Sequence, residues 1–303
     1  MAIQKEIWIN SIIEGLFPDN SFASKSIDHS EFVDNITVHV PNAGAPPAVT
    51  EDVPADGASI AVAERRTDVP LDYNITSWRV GPIRITKAEE VELSYNKRES
   101  VIKGFRVALQ GKIYGELLKS WYPAGGSKLA TGGDSYALAG DGAPSATGNR
   151  LKLVKADIRK LRTLFDKQDI PLEGRNLLLD AELYGQLLDS LTDTESAAFL
   201  ASASAQSGIV GKLYGFDVYL RSTVLTVTAT GALKTGAAAA TDCLAGLAWS
   251  TQAVSRAVGE VTMYENESDP HNFGDVISAL VRAGGKYMRN DKAGVVLLYQ
   301  GTP

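Results

Sequence analysis

The chain has 303 residues, 44% of them hydrophobic, so it is long enough for one large domain or two ordinary ones with a sizeable core. A formal net charge of −6 argues against a general nucleic-acid binder, which needs an excess of Lys and Arg. No apolar run approaches the roughly 20 residues of a membrane helix, and we expect no signal peptide. The single cysteine, Cys243, suits a reducing compartment and is predicted to lie in the core on a buried strand.

The first part of the chain predicts an arm followed by a β-hairpin. Residues 3–17 carry apolar side chains at helical spacing, and residues 18–34 are polar and irregular, as in an extended arm. Residues 36–41 and 71–85 alternate and are rich in β-branched residues, so both are predicted strands. The Pro-rich insert between them leaves two alternatives, an extended hairpin that projects from the body or an ordinary edge hairpin with a disordered tip.

The strongest helix prediction covers Lys97–Trp121, where apolar residues recur every four positions and Asn96 is a suitable N-cap. Gly104, Gly111 and Gly115 each lower helix propensity by about 1 kcal/mol. Because of that cost, we expect another chain segment to pack closely against them. At about 1.5 Å per residue the helix spans roughly 40 Å, which is long for a domain of this size and suits a spine.

The pattern beyond this helix predicts a mixed α+β region. Residues 124–149 and 226–241 are rich in Gly, Ala, Ser and Thr and predict two loops. The other elements predicted there are a helix at 156–169, a buried strand at 176–179, short helices at 181–191 and 195–205, a strand at 215–220 and a buried strand at 244–250. Because strands and helices do not alternate regularly, a doubly wound parallel sheet is not expected.

The last fifty-odd residues predict a strand before a charged turn, then an apolar segment, a polar turn and a closing strand. The first strand is predicted at 258–264, the apolar segment that follows at 273–283, and the closing strand at Val295–Tyr299. This region contains no paired acid and base in a catalytic context. The glycine pair Gly284-Gly285 is interpreted as part of a fold that bends differently in each environment.

This order of elements resembles the HK97-fold major capsid proteins of tailed double-stranded DNA bacteriophages. Residues 37–41 resemble the strand that leads into that family's extended loop, residues 71–85 the returning strand, and Lys97–Trp121 the spine helix. Residues 160–184 are similar to the helix–turn–strand that opens the axial domain, and residues 211–221 to a recurrent strand of that domain. The resemblance spans nearly the whole chain and depends on order and spacing, since the family has no invariant signature.

The resemblance implies an α+β, HK97-like capsid fold with four parts. These are an N-terminal arm at 1–34, an extended β-hairpin loop and its base at 35–92, a peripheral domain with a long spine helix at 93–123 and 255–289, and an axial domain at 124–254 and 290–303. Some relatives join neighbouring subunits through a Lys–Asn isopeptide bond. The insert of residues 42–70 contains no lysine, the nearest being Lys87, so we predict no covalent cross-linking.

The resemblance also implies a structural function without enzymatic activity. Copies would form the hexamers and pentamers of an icosahedral shell that encloses packaged double-stranded DNA, assembled in the host bacterial cytoplasm and located in the virion. Implied partners are further copies, scaffolding, portal and decoration proteins, and DNA held by non-specific contact, with no membrane. The alternatives are an encapsulin-like nanocompartment shell and, from another class, a soluble hydrolase. An extracellular adhesin or tail component is disfavoured by the long helix and the lack of all-β repeats.

No motif predicts a catalytic residue, a cofactor or a metal ion. Residues 208–215 lack the Ser or Thr that follows the lysine of a phosphate loop, and residues 132–142 follow no hydrophobic strand. The histidines His29, His39 and His271 lack ligand spacing, and no Gly-x-Ser-x-Gly sequence is present.

Two charged groups have both a binding and a structural interpretation. The acidic residues at 260–269, namely Glu260, Glu265, Glu267 and Asp269, offer oxygen ligands to a divalent cation but lack the spacing of a calcium loop. They are predicted to form a solvated turn with intersubunit salt bridges. Glu64-Arg65-Arg66 is interpreted in the same way, as a solvated or interface group.

Overall fold

The computed structural model describes residues 22–31, 37–41, 68, 70–86, 97–140, 142–204, 207–269 and 271–303. The described helices are α1 Lys97–Trp121, α2 Lys155–Lys167, α3 Ala181–Asp189 and α4 Asp193–Ala201, with short 3-10 turns at Phe22–Ser24 and Thr251–Ala253. The described strands are β1 Ile27–Asp28, β2 Thr37–Val40, β3 Leu71–Asn74, β4 Thr76–Arg79, β5 Ile83–Thr86, β6 Lys128–Ala130, β7 Ser135–Ala137, β8 Asn149–Leu151, β9 Arg175–Asp180, β10 Gly211–Leu213, β11 Phe216–Arg221, β12 Leu225–Val227, β13 Cys243–Ser250, β14 Val254–Asp269, β15 Gly274–Tyr287 and β16 Val295–Tyr299.

A five-stranded sheet is built around the long antiparallel hairpin of β14 and β15. The strand order is β1-β14-β15-β4, and β5 pairs with β15 closer to the hairpin tip. Buried and partly exposed residues alternate along β15, because one face of the sheet lies against α1. Side chains of α1 and the sheet form one core there: Ile85, Phe105, Leu109, Ile113, Met263, Ile277, Ala279, Val281 and Ala283.

A seven-stranded sheet forms the other layer, in the order β10-β11-β9-β13-β16-β6, with β12 on β13. Every residue of β9 and β13 is buried, as expected for central strands covered on both faces. Helix α2 covers one face through Ile158, Leu161 and Phe165. The end of α1, with Leu118 and Trp121, packs on the other face, so α1 contributes to the cores of both sheets.

Most predicted elements are confirmed. The helix Lys97–Trp121 and the strand Val295–Tyr299 have the predicted bounds. The strand predicted at 258–264 is longer than predicted, and the apolar segment predicted at 273–283 lies in a second long strand, β15. The prediction of a loop at 124–149 is wrong in part, because this segment contains β6, β7 and β8, and β6 joins the seven-stranded sheet beside β16. The helix predicted at 3–17 lies outside the described residues.

The glycine interpretations are corrected by the packing. A Cβ placed on Gly104, Gly111 or Gly115 would meet no atom within 4 Å, so no described segment packs so closely that it requires glycine there. By contrast, a Cβ on Gly285 would lie 2.5 Å from the Ser255 carbonyl oxygen, and one on Gly284 3.0 Å from a backbone oxygen of β3. The neighbouring strands come so close to Gly284 and Gly285 that no side chain fits at either position, which explains this glycine pair.

Candidate subunit-contact surfaces

Residues 22–30, here called the N-terminal strap, lie across the junction between the two sheets. Strand β1 pairs in parallel with β14, and the Ser30 hydroxyl accepts a hydrogen bond from the Val258 amide at 3.0 Å. The Trp249 indole donates to the Lys25 carbonyl at 2.8 Å. The sequence interpretation of residues 18–34 as polar and irregular missed these contacts. The described part of the arm is docked on the body.

Phe22 anchors the strap in an aromatic cluster. Its ring lies 5.6 Å from Tyr114 and edge-on to Trp121 and Trp249, each at 6.1 Å between ring centres. The guanidinium of Arg221 lies over the same ring at 5.8 Å. Tyr114 and Trp121 belong to α1 and Trp249 to the seven-stranded sheet, so Phe22 joins α1 to that sheet.

Polar contacts fix the rest of the strap. Arg256 donates to the Asp28 carboxylate at 2.9 Å and to the Ala23 carbonyl. Burial works to raise the pKa of Asp28, but hydrogen bonds from Ser30 and the charge of Arg256 outweigh it and lower that pKa. Burial lowers the pKa of His29, whose ring nitrogen Nδ1 lies 3.2 Å from the Tyr73 hydroxyl. The strap therefore also touches β3.

The predicted hairpin base is confirmed as a two-stranded ladder of β2 and β3. Val38 and Val40 point inward, while His39 lies outside and contacts Asp72 at 2.8 Å. Lys286 of β15 donates to the Asp72 carbonyl, which connects the ladder to the long hairpin. The insert of residues 42–67 lies outside the described residues, so both interpretations of it remain predictions.

The tip of the β14–β15 hairpin presents an aromatic side chain to solvent. Phe273 is 80% exposed and has a positive φ of 48°, which is uncommon for an aromatic residue. Asp269 holds the turn by accepting hydrogen bonds from the His271 amide at 2.9 Å and from Asn272 at 2.8 Å. The His271 hydrogen bond is the main cause of the lowered pKa of Asp269.

The five-stranded sheet has a second face, opposite α1, that carries arginines. Arg79 pairs with Leu280, Arg84 with Val276, and Arg282 with Ser77, all at positions that alternate away from the α1 side. We call this surface the arginine face. None of its three arginines forms an ion pair or a side-chain hydrogen bond with another described residue. The remaining described side chains of the face are Ser77, Thr262, Tyr264, Asn266, Val276, Ser278 and Leu280.

The candidate chemical residues are dispersed. Cys243 is fully buried, and burial raises the pKa of its thiol, which makes it a poor nucleophile, as predicted for a core cysteine. His29, His39 and His271 lie on the strap, on β2 and in the hairpin turn, and the structure does not bring them together. Within the described ranges, no three His, Cys, Asp or Glu residues form a group suited to a metal ion.

Two cavities flank α1. The first, of about 300 Å³, lies between α1 and the five-stranded sheet and is lined by Trp78, Ile113, Leu117 and Gly284 among others. The second, of about 380 Å³, lies beside Arg221 and Lys234, and Lys234 is paired with Asp242 at 3.0 Å. Among the described residues, no helix is both long enough and apolar enough to cross a membrane.

Comparison with known proteins defines the fold. No family model matches the chain, and no curated protein matches it. Solved structures do match: the capsid of Ralstonia phage GP4 has a TM-score of 0.62 at 15% identity, covering 96% of this chain and 91% of that one. The mature capsid of bacteriophage PhiM1 has a TM-score of 0.60 at 14% sequence identity, and the match covers 93% of this chain and 87% of that one. A virus-like particle from Pyrococcus furiosus has a TM-score of 0.57 at 10% sequence identity, and the match covers 97% of this chain and 99% of that one.

The chain therefore has the α+β, HK97-like fold of capsid subunits, as the sequence predicts. The likeness extends over more than nine-tenths of the chain, so it concerns the whole architecture. Sequence reasoning missed the anchored strap, the exposed Phe273 and the arginine face. Only the period-two alternation of residues 274–287, which places Arg282 opposite the apolar side chains, could have indicated the last of these.

Proposed function

We propose that this protein is the structural major capsid protein of a tailed double-stranded DNA bacteriophage, without enzymatic activity. Copies assemble into hexamers and pentamers that close an icosahedral shell around packaged DNA. The observation that carries the proposal is the whole-chain likeness to phage capsid subunits. A match that covers most of both chains leaves little of this chain for a separate catalytic domain.

The surfaces of the subunit support assembly by many moderate contacts. If the insert between β2 and β3 projects, as one of the two sequence interpretations has it, then the insert, the N-terminal segment before Phe22 and the exposed hairpin tip can together bury more than the roughly 1,600 Å² of a standard interface. In this proposal α1, β14 and β15 form the peripheral domain and the seven-stranded sheet forms the axial domain. The virion is the location, and the other partners are scaffolding, portal and decoration proteins.

Sedimentation of the purified protein, followed by nuclease treatment and extraction of protected DNA, tests the proposal. Expression alone is expected to give fast-sedimenting particles, and infection is expected to give particles that protect double-stranded DNA. A protein that sediments as a monomer at every concentration contradicts the proposal.

A second candidate is a nanocompartment shell, favoured by the likeness to the virus-like particle of Pyrococcus furiosus. It is the weaker candidate, because that match has lower identity and a lower TM-score than the two phage capsids. Particles that copurify with one protein cargo and never protect DNA would support it.

A further inference from the structure

We propose that the arginine face of one copy binds the hairpin tip of a neighbouring copy. The inference rests on the proposed function, because it names a contact within the assembly. The chain as a whole carries a net charge of −6, yet this one sheet face carries three arginines. A cationic face attracts an anionic partner, and other copies of this acidic protein carry a net negative charge.

The three arginines form a row along β15. Arg84 lies opposite Val276 and Arg79 opposite Leu280, with Arg282 two residues further along. At about 3.3 Å per residue, the row from Val276 to Arg282 is roughly 20 Å long. Tyr264 lies on the same face and is 55% exposed, which adds apolar contact area beside the charges. No side chain of this face belongs to a buried core in the described part of the chain.

The hairpin tip has the complementary chemistry. Residues 267–275 contain three carboxylates, those of Glu267, Asp269 and Asp275, and no Lys or Arg. Glu267 is exposed, and Phe273 projects into solvent from a turn that Asp269 holds in place. An exposed aromatic side chain on an acidic hairpin tip fits a surface of arginines and a tyrosine, the residue types enriched at interface hot spots.

The symmetry of the contact agrees with a closed assembly. Tip and face are different surfaces of one chain, so the contact is heterologous, and heterologous contacts produce rings when the rotation closes. A second copy is favoured over DNA as the occupant, because the tip supplies both the charge and an exposed apolar side chain that the face can cover.

Charge reversal tests the pairing. Arg79→Glu alone and Glu267→Arg alone are each expected to raise the subunit concentration needed for assembly about 5- to 10-fold, since each replaces attraction by repulsion. The double variant that carries both substitutions is expected to return to within about 2-fold of the wild type, because the charges are exchanged. Arg159→Glu and Glu173→Arg, exposed and far from both surfaces, are the matched controls and are expected to shift the concentration less than 2-fold.

A second variant tests the anchor. Phe273→Asn removes the ring but suits a positive φ, so the monomer is expected to unfold at the same urea concentration or higher while assembly weakens severalfold. An unchanged assembly concentration for this variant would contradict the anchor role of Phe273.

The outcomes separate the two proposals. A wild type that never assembles removes the proposed function and this inference with it. A wild type that assembles, with Arg79→Glu no worse than Arg159→Glu, removes the inference alone. A double variant as defective as the sum of the single variants also overturns the pairing. Arg79→Glu shells that form normally but fail to retain DNA would assign the face to DNA instead and overturn the proposal.

Discussion

Replacing Phe22 by Ala tests how strongly the N-terminal strap is docked on α1 and the seven-stranded sheet. The ring is 7% exposed and touches three aromatic side chains and the Arg221 guanidinium. Truncating a buried phenylalanine costs about 3–5 kcal/mol in a core. Because the strap is a short segment that can detach, the decrease in the free energy of unfolding cannot exceed the free energy with which the strap docks on the body. We therefore expect a decrease of about 3 kcal/mol in the free energy of unfolding, at the lower end of that range.

Urea unfolding of the unassembled subunit, followed by tryptophan emission, measures this loss. In a Trp8→Phe, Trp78→Phe background, the remaining reporters are Trp121 and Trp249, both fully buried against Phe22. Phe22→Ala is expected to increase acrylamide quenching of both before global unfolding. Phe273→Ala, at an 80% exposed position, is the matched control and is expected to cost less than about 0.5 kcal/mol. Equal stability and equal quenching for the two variants would refute the role assigned to the strap.

Three further predictions follow from the packing, the titration of the strap and the sequence of the insert. Gly285→Ala is expected to lower the free energy of unfolding by about 1–3 kcal/mol, because its Cβ would meet the Ser255 carbonyl oxygen at 2.5 Å. In Gly111→Ala the new Cβ meets open space, so this variant is expected to stabilise the monomer by up to about 1 kcal/mol. Thermal unfolding measures both effects, and a destabilising Gly111→Ala would contradict this. Burial lowers the pKa of His29 in the folded state from its ordinary 6.5. The stability that neutral His29 contributes is therefore complete above pH 6.5 and is lost as the pH falls through the lowered pKa of the folded state. Tryptophan quenching between pH 7 and 5 measures detachment of the strap, which is expected in the wild type and absent in His29→Gln. An identical pH profile for the wild type and this variant would exclude His29 as the cause. Denaturing gels of assembled shells are expected to show monomer-sized bands, and a ladder of higher species would show cross-linking.

The fold could be predicted where local patterns decide the structure. The apolar period of Lys97–Trp121 and the continuous apolar run of Val295–Tyr299 gave both elements their bounds. The short strands β6, β7 and β8 are not predicted because the segment around them, residues 124–149, is rich in Gly, Ala and Ser. Strand β6 forms because β16 offers it a partner edge, which is a long-range cause that local composition does not contain.

The candidate surfaces were harder to predict because they depend on contacts far apart in the chain. Phe22 and Trp249 are separated by more than two hundred residues, and nothing in the polar segment around Phe22 indicates its burial. The glycines of α1 were interpreted as sites of close packing, but they face open space. The opposite holds for Gly284 and Gly285, where the neighbouring strands leave no room for a side chain.

Electron microscopy of the purified wild-type protein over a range of concentrations tests the central claim most directly, since a shell subunit acts by binding its own copies. We predict closed particles of uniform diameter with hexameric and pentameric units. A chain that stays monomeric throughout, or that forms only irregular aggregates, would contradict the account.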